Sequence, residues 1–353
     1  MTVDYIIVGQ GICGTFLSWN LLKKGKSVLV IDEANPYSSS KVASGVINPV
    51  TGRRIVTVWM ADELFPFCKK EYLEIGSDTG KDVISQKNCI SFANSAQMLD
   101  GYRKRAVEPA SYISTITNRK LLDPYFNFVF DCFEINPTYL IDLQTLLPAW
   151  RNHLENKSSI IAERFEERFL QSSDRNVQYK EHHASKIIFC NGVKTFDTAF
   201  WAQLPYVHNK GEVLIADIPG LPGDNIYKFG PLTIVPWQNN LWWVGSTYEN
   251  EFATADPTEQ FKTTFTASLK AVLKIPFTIV DHMAAIRPAA VERRPFVGLH
   301  PNKPSIGILN GMGTKGCSIG PWFAKQLADH LVDGTTIDPL ADIQRFKRIL
   351  SGI

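Results

Sequence analysis

Residues 3–14 read Val3-Asp4-Tyr5-Ile6-Ile7-Val8-Gly9-Gln10-Gly11-Ile12-Cys13-Gly14. The first six predict a short, mostly apolar strand, and the glycines that follow have the spacing Gly-x-Gly-x-x-Gly. Residues 14–24 carry apolar positions at helical spacing, and Gly25 ends this predicted helix. Val28–Ile31 is a second apolar strand without polar alternation, which is typical of a parallel sheet buried on both faces. The stretch therefore predicts a strand–helix–strand unit with a glycine turn.

A glycine turn in this context predicts a dinucleotide-binding site. Gly9 allows the tight turn, Gly11 lets the backbone approach a pyrophosphate, and Gly14 lets the helix pack closely on the strand. The helix N-terminus offers free N–H groups to the phosphates. Asp32 ends the second strand and is placed to accept hydrogen bonds from ribose hydroxyls. An aspartate instead of an arginine disfavours NADP, but the turn alone does not decide between NAD and FAD.

The pattern along the rest of the chain predicts two interleaved domains. Short alternating runs, such as 89–92 and 128–130, and the strand-rich stretch 207–248 predict an antiparallel sheet. Apolar runs at 187–189 and 306–309 predict strands of the first sheet. We therefore expect an α/β plus α+β protein. Its Rossmann-like cofactor domain comprises residues 1–75, 140–200 and 285–353, and its antiparallel-sheet substrate domain comprises residues 76–139 and 201–284.

Composition narrows the class of protein. The chain has 353 residues, of which 44% are hydrophobic and 20% charged, a balance that suits a globular protein of two domains. A net charge of +2 without long charged runs argues against a nucleic-acid surface. The six scattered cysteines include no Cys-x-x-Cys pair, so we expect neither a disulfide framework nor a metal site. No stretch reaches the ~18 apolar residues of a membrane span, and we expect a cytoplasmic protein.

Four further segments resemble the D-amino-acid-oxidase superfamily of FAD-dependent oxidoreductases, near glycine oxidase and sarcosine oxidase. They follow the glycine turn in the order found in that family. The segments are the small-residue loop 38–49, the strand and turn Ile187-Ile188-Phe189-Cys190-Asn191-Gly192, the pair Ala285-Ile286-Arg287-Pro288 and Arg294-Pro295-Phe296-Val297-Gly298, and the loop Asn310-Gly311-Met312-Gly313-Thr314-Lys315-Gly316-Cys317-Ser318 before a C-terminal helix.

The resemblance implies FAD as the cofactor. Sarcosine-oxidase relatives tether the flavin through a cysteine near the position of Arg287, and this chain has none there, so we expect non-covalent FAD. Backbone N–H groups at residues 313–318 would stabilise negative charge on the reduced flavin. The expected cofactor-binding residues are Gly9, Gly11, Ile12, Cys13, Gly14, Asp32, Glu33, Ser39, Ser40, Ser44, Gly45, Val46, Phe165, Asn191, Gly192, Arg287, Gly313, Thr314, Lys315, Gly316, Cys317 and Ser318.

The resemblance also implies oxidation of the C–N bond of a small amino acid or amine, by hydride transfer to flavin N5 followed by imine hydrolysis. Arg287 matches the arginine that holds the substrate carboxylate in glycine oxidase, and the alternative is a structural arginine paired with a buried acid. Lys315 is the second candidate catalytic residue, because its charge would promote oxygen reduction, although it would equally suit holding phosphate or substrate. Glycine oxidase has a second arginine near Thr314 and a tyrosine at the position of Thr233, so substrate handling differs.

Other functions remain open at this stage. The electron acceptor is oxygen in an oxidase, and a quinone or another protein in a dehydrogenase. A tRNA-modification oxidase is a third hypothesis, which the nearly neutral charge disfavours. A redox-inactive FAD-binding scaffold is a fourth.

Overall fold

A computed structural model describes residues 1–52 and 54–352 of the chain. Within these residues the strands are β1 (Thr2–Val8), β2 (Val28–Ile31), β3 (Val46–Ile47), β4 (Val50–Thr51), β5 (Val56–Thr57), β6 (Ile84–Gln86), β7 (Cys89–Phe92), β8 (Ile113–Thr115), β9 (Cys132–Ile135), β10 (Tyr139–Ile141), β11 (Ile160–Ile161), β12 (Leu170–Ser172), β13 (Val177–Tyr179), β14 (His182–Phe189), β15 (Tyr206–Asp217), β16 (Ile226–Phe229), β17 (Leu232–Pro236), β18 (Trp242–Gly245), β19 (Thr278–Ala290), β20 (Phe296–His300) and β21 (Lys303–Asn310). The helices are α1 (Ile12–Lys23), α2 (Ser39–Val42), α3 (Ala61–Thr79), α4 (Ala96–Ala106), α5 (Leu143–Asn156), α6 (Glu259–Val272), α7 (Gly316–Asp333) and α8 (Lys347–Leu350).

The first sheet has β1 at its centre, paired in parallel with β2 and β14, and β14 pairs in parallel with β21. Helices α1, α3, α5 and α7 cover one face and contribute buried side chains that include Phe16, Tyr72, Trp150 and Phe323. The other face packs on a second cluster around Trp201. Burial on both faces explains why β1 and β2 show no polar alternation.

The register of this sheet places three strand ends at one edge. Val8 lies opposite both Ile31 and Phe189, so β1, β2 and β14 end side by side. Their carboxyl ends lead into the glycine turn, Asp32 and Asn191. In an open parallel sheet this edge is where ligands bind.

The second sheet runs in the order β19-β15-β18-β17-β16-β7-β9-β8. The long strands β15 and β19 pair antiparallel, with Asn209 opposite Arg287 and Gly211 opposite Ala285. Helix α6 covers one face through Phe261 and Leu269. Arg287 thus sits on the edge strand of this sheet.

The expected fold class is confirmed, with two local corrections. Residues 128–130 are not a strand. The strand begins at Cys132, while the ring of Phe128 packs 5.1 Å from that of Phe92. The C-terminal helix begins at Gly316, within the loop 310–318 that was expected to precede it, and it includes Pro321. The division into two discontinuous domains stays a prediction.

Candidate active site

A cleft of about 1180 Å³ lies between the carboxyl edge of the first sheet and strand β19. All of the expected cofactor-binding residues line this cleft except Gly14, Lys315 and Ser318. The expected residues that line it are Gly9, Gly11, Ile12, Cys13, Asp32, Glu33, Ser39, Ser40, Ser44, Gly45, Val46, Phe165, Asn191, Gly192, Arg287, Gly313, Thr314, Gly316 and Cys317. Segments far apart in the chain therefore meet around one elongated space.

The glycine turn forms one wall of the cleft. Gly9 has φ +97°, and a Cβ there would lie 2.6 Å from the Cα of Asn191. A Cβ on Gly14 would lie 1.8 Å from the carbonyl oxygen of Gly9. Gly14 does not line the cleft because it lies behind the turn and lets α1 pack against it.

The N-terminus of α1 opens toward the cleft, and its N-cap residue, Gly11, has no side chain to cap it. The N–H of Ile12 donates to Oγ of Ser40 over 3.1 Å. The first-turn N–H groups carry the positive end of the helix dipole. A helix end without its own cap, beside a glycine turn, fits the pyrophosphate of FAD.

Asp32 lines the cleft and is held from several sides. Its Oδ2 accepts from the backbone N–H of Gln10 over 2.8 Å. Its Oδ1 accepts from the N–H of Ala34 over 2.8 Å and from Nη1 of Arg151 over 2.9 Å. Arg151 lies on α5 and was not anticipated, because nothing in the local sequence links it to Asp32. These bonds fix the carboxylate next to the glycine turn, where a ribose would lie.

Arg287 lies at the other end of the cleft among neutral partners. Its Nη1 donates to Oδ1 of Asn209 (2.7 Å) and to the carbonyl of Thr247 (3.1 Å), and its Nη2 donates to Oγ of Ser246 (2.9 Å). A Cβ on Gly211 would lie 1.9 Å from Nη2, so the guanidinium rests against a bare backbone.

No carboxylate lies within ion-pair distance of Arg287 in the described part of the chain. The structural alternative, an arginine paired with a buried acid, is therefore not what the structure shows. Burial lowers the pKa of Arg287 from its usual value, and Tyr248 partly opposes that shift. A half-buried cation without an anionic partner is suited to bind an anion.

The C-terminal loop reaches the cleft through residues other than Lys315. Gly313, Thr314 and Gly316 line it, just before α7 begins. Lys315 is half-buried outside the lining, and burial lowers its pKa, as do the neighbouring charges of Arg294 and Arg293. Ser318, the third expected residue outside the cleft, donates its hydroxyl to the carbonyl of Lys315 over 3.1 Å.

The cysteines of the cleft are protonated thiols. Burial raises the pKa of Cys13 and of Cys317 to about 12, and it raises the pKa of Cys190 as well. The thiolate is the reactive form of cysteine, so these side chains are poor nucleophiles at neutral pH. This chemistry suits a cofactor held without a covalent bond.

Several lining residues on the substrate side were not expected from sequence. They include Trp243, Ser246, His282 and residues 255–257. Close by, Lys210 and Glu212 are fully buried on β15. Two charges separated by one residue, directly before the apolar run 213–216, are the signal that should have drawn attention to this region.

Two kinds of feature are absent from residues 1–52 and 54–352. No cluster of three or more histidine, cysteine, aspartate or glutamate side chains there could hold a metal ion. None of the helices there combines the length and apolar character needed to cross a membrane.

Comparisons with known proteins agree with this architecture. The family model for FAD dependent oxidoreductases (DAO) matches residues 4–330. The uncharacterized oxidoreductase YurR of Bacillus subtilis (strain 168) is 24% identical, over 92% of this chain and 94% of its own. Glycine oxidase from Geobacillus kaustophilus superposes with a TM-score of 0.80 at 18% identity, over 96% of this chain and 98% of its own.

L-proline dehydrogenase from P. horikoshii has the same fold, with a TM-score of 0.76 at 14% identity over 98% of both chains. At such identities these two structures establish the fold alone. The family model spans most of the chain and includes the glycine turn, Asp32 and Arg287. The chain belongs to the DAO family of FAD-dependent oxidoreductases.

Proposed function

We propose that this enzyme oxidises the C–N bond of a small amino acid or amine, with an amino-acid carboxylate held by Arg287. The observation that carries the proposal is a half-buried arginine that lines the cleft and has only neutral partners among the described residues. Structural neighbours that include a glycine oxidase, an iminodiacetate oxidase and an L-proline dehydrogenase support an amino-acid substrate. The assignment of the expected cofactor residues to FAD is part of the same proposal.

The hydrogen bonds of Arg287 leave one edge of its guanidinium available. Of its five N–H donors, two on Nη1 and one on Nη2 are used by Asn209, Ser246 and Thr247. The remaining donors are on Nε and Nη2, which form one edge of the planar group. That edge matches the two oxygens of a carboxylate, and such a charge-assisted pair fixes the orientation as well as the position of a substrate.

The reaction removes a hydride from the substrate carbon and a proton from the substrate nitrogen. Bound FAD supplies the hydride acceptor at N5. The substrate leaves this step as an imine, which water hydrolyses to a carbonyl compound and ammonia or an amine. Trp243, Val46 and Ala285 contribute apolar lining to the cleft. The N–H groups at the start of α7 are placed to stabilise negative charge on the reduced cofactor.

The proposal covers either class of electron acceptor. An oxidase would return the electrons to oxygen, and a dehydrogenase would pass them to a quinone or a protein. Lys315 was expected to favour oxygen, but its side chain lies outside the cleft lining. Its catalytic role therefore stays a prediction.

The test is anaerobic mixing of the FAD-loaded protein with a panel of amino acids and amines. We expect at least one small amino acid to bleach the flavin absorbance and to yield one equivalent of carbonyl product. Admission of air or of a quinone then distinguishes the two acceptor classes. A flavin that dithionite bleaches, but that no amino acid or amine reduces, would overturn the proposal.

A further inference from the structure

An irregular segment, residues 246–258, joins β18 to α6 and reaches the cleft at both of its ends. Ser246 lines the cleft at one end, and residues 255–257 line it at the other. Ser246 and Thr247 also supply two of the three groups that hold Arg287. The position of this segment therefore determines where the guanidinium points.

Lys210 fastens the segment at two places. Its backbone N–H and carbonyl form a bridge with Glu249, over 2.7 and 3.0 Å. Its Nζ donates to the carbonyl of Asp256 over 2.5 Å.

Glu212 fastens the same segment at two more places. Its N–H donates to Oγ1 of Thr247 over 2.9 Å. Its carboxylate accepts from the N–H of Thr258 over 2.6 Å and from the hydroxyl of Thr258 over 2.9 Å. Together, Lys210 and Glu212 hold residues 247, 249, 256 and 258.

The two residues also form a deeply buried ion pair. Nζ of Lys210 lies 3.1 Å from Oε1 of Glu212, and the side chains are 2% and 0% exposed. Nε2 of His282, on β19, lies 3.0 Å from Oε2 of Glu212. Burial raises the pKa of Glu212, but the hydrogen bonds from Thr258 and Lys210 outweigh it, and the net shift is downward.

A buried ion pair is a costly way to gain stability, because hydrophobic residues of similar volume usually serve as well. Its directional bonds, in contrast, specify geometry. Here the side chain of Lys210 binds Asp256 in the cleft-lining segment. The side chain of Glu212 binds Thr258, where the segment joins α6, and His282 on β19. Positioning is therefore the better explanation for these two charges.

We propose that Lys210 and Glu212 are positioning residues, which fix residues 246–258 so that Arg287 presents its free edge to a substrate carboxylate. This inference rests on the proposed function of Arg287. Neither residue needs to contact the substrate or FAD. Their side chains hold the segment at residues 256 and 258. Their main-chain groups hold it at residues 247 and 249, next to Ser246.

The experiment is a titration of the FAD-loaded protein with acetate and propionate, followed by the flavin absorbance spectrum, so that no turnover is needed. Replacing both charges, in Lys210→Met with Glu212→Leu, should weaken carboxylate binding about 10- to 100-fold, through the loss of several hydrogen bonds. Thr258→Val removes one hydroxyl contact and should weaken it about 2- to 10-fold.

The milder variant keeps the test valid if the double variant fails to fold. Thr258→Ser, which retains the hydroxyl, should restore wild-type binding. Ser268→Ala is the matched control, because it removes a hydroxyl from α6 that bonds only the carbonyl of Thr264. FAD affinity should stay within about twofold of wild type throughout, since the variants lie on the substrate side.

A purely structural role would lower Tm in Thr258→Val, which also loses the N-cap of α6, and would leave carboxylate binding unchanged. That result, with a wild type that does respond to carboxylates, would overturn the positioning inference alone. A wild-type flavin spectrum that responds to no carboxylate would overturn both the inference and the proposed role of Arg287.

Discussion

The two halves of the cleft are built by different physical means. On the cofactor side, main-chain groups dominate: a glycine turn, a helix end without its own cap and the N–H groups before α7. On the proposed substrate side, the half-buried cation of Arg287 is held by neutral side chains and a carbonyl. Backbone recognition depends on local shape, whereas the cation depends on segments brought together by the second sheet. Steric changes at the glycine turn should therefore weaken FAD binding, whereas changes in the geometry of the Arg287 charge should weaken substrate binding.

The largest expected effect is steric and concerns Gly14→Ala. Its Cβ would lie 1.8 Å from the carbonyl oxygen of Gly9, so the turn or the helix must move. Forcing extra volume against a backbone atom costs about 3 kcal/mol or more, and we expect protein without measurable flavin. Gly223→Ala is the control, because a Cβ there has nothing within 4 Å. Normal flavin content in Gly14→Ala would contradict the packing role of this glycine.

The next effect concerns charge geometry at Arg287. Arg287→Lys keeps the charge but loses the planar two-donor edge, so kcat/KM for an amino acid should fall by about 30- to 1,000-fold. The decarboxylated amine of the same substrate should lose much less. Arg103→Lys, at an exposed ion pair with Asp131, is the matched control. Equal losses on both substrates would show that Arg287 is structural.

A smaller effect is expected at Asp32. Asp32→Ala should weaken FAD binding by about 1–3 kcal/mol, because the bond to a ribose hydroxyl and the contact with Gln10 are lost together. Titration of the apoprotein with FAD measures this change. Asp217→Ala, an exposed carboxylate on β15, should bind FAD normally. Unchanged affinity in Asp32→Ala would remove this residue from the cofactor site.

The last prediction is that FAD is not covalently attached to the protein. Since burial raises the pKa of Cys13 and Cys317 to about 12, neither thiol is a ready nucleophile toward flavin. Precipitation with trichloroacetic acid should therefore release all of the yellow colour into the supernatant. Flavin that stays in the protein pellet would identify a covalent bond.

Local sequence predicted the cofactor half of the fold well, and physics explains why. A strand, a glycine turn and a helix lie within about 30 residues, so spacing alone conveys their geometry. Gly25 ends α1 with φ +73°, as expected of a glycine there. The strand prediction for residues 128–130 was wrong, because alternating apolar residues also occur in a loop whose aromatic rings pack into a core. The ring of Phe128 packs in this way against that of Phe92.

The substrate half was only partly predictable. Arg287 was found through its match to a family motif, but its partners lie 40 and 78 residues away and meet it only because β15, β18 and β19 are neighbours. Lys315 illustrates a limit of sequence spacing. Its place in the loop suggested a side chain at the flavin, whereas Gly313, Thr314 and Gly316 line the cleft and Lys315 does not, so its catalytic role stays a prediction. A side chain's direction is set by tertiary packing, which sequence spacing does not reveal.

The claim that one half of the cleft binds FAD and the other binds the substrate is tested most directly by measuring both affinities in the same variants. Both the Kd for FAD and the KM for the best amino acid would be determined in wild type, Asp32→Ala and Arg287→Lys. We expect Asp32→Ala to raise the Kd for FAD and, once saturated with FAD, to keep a nearly normal KM. We expect Arg287→Lys to raise the KM and leave the Kd for FAD within about twofold. Parallel changes of both constants in either variant would contradict the account.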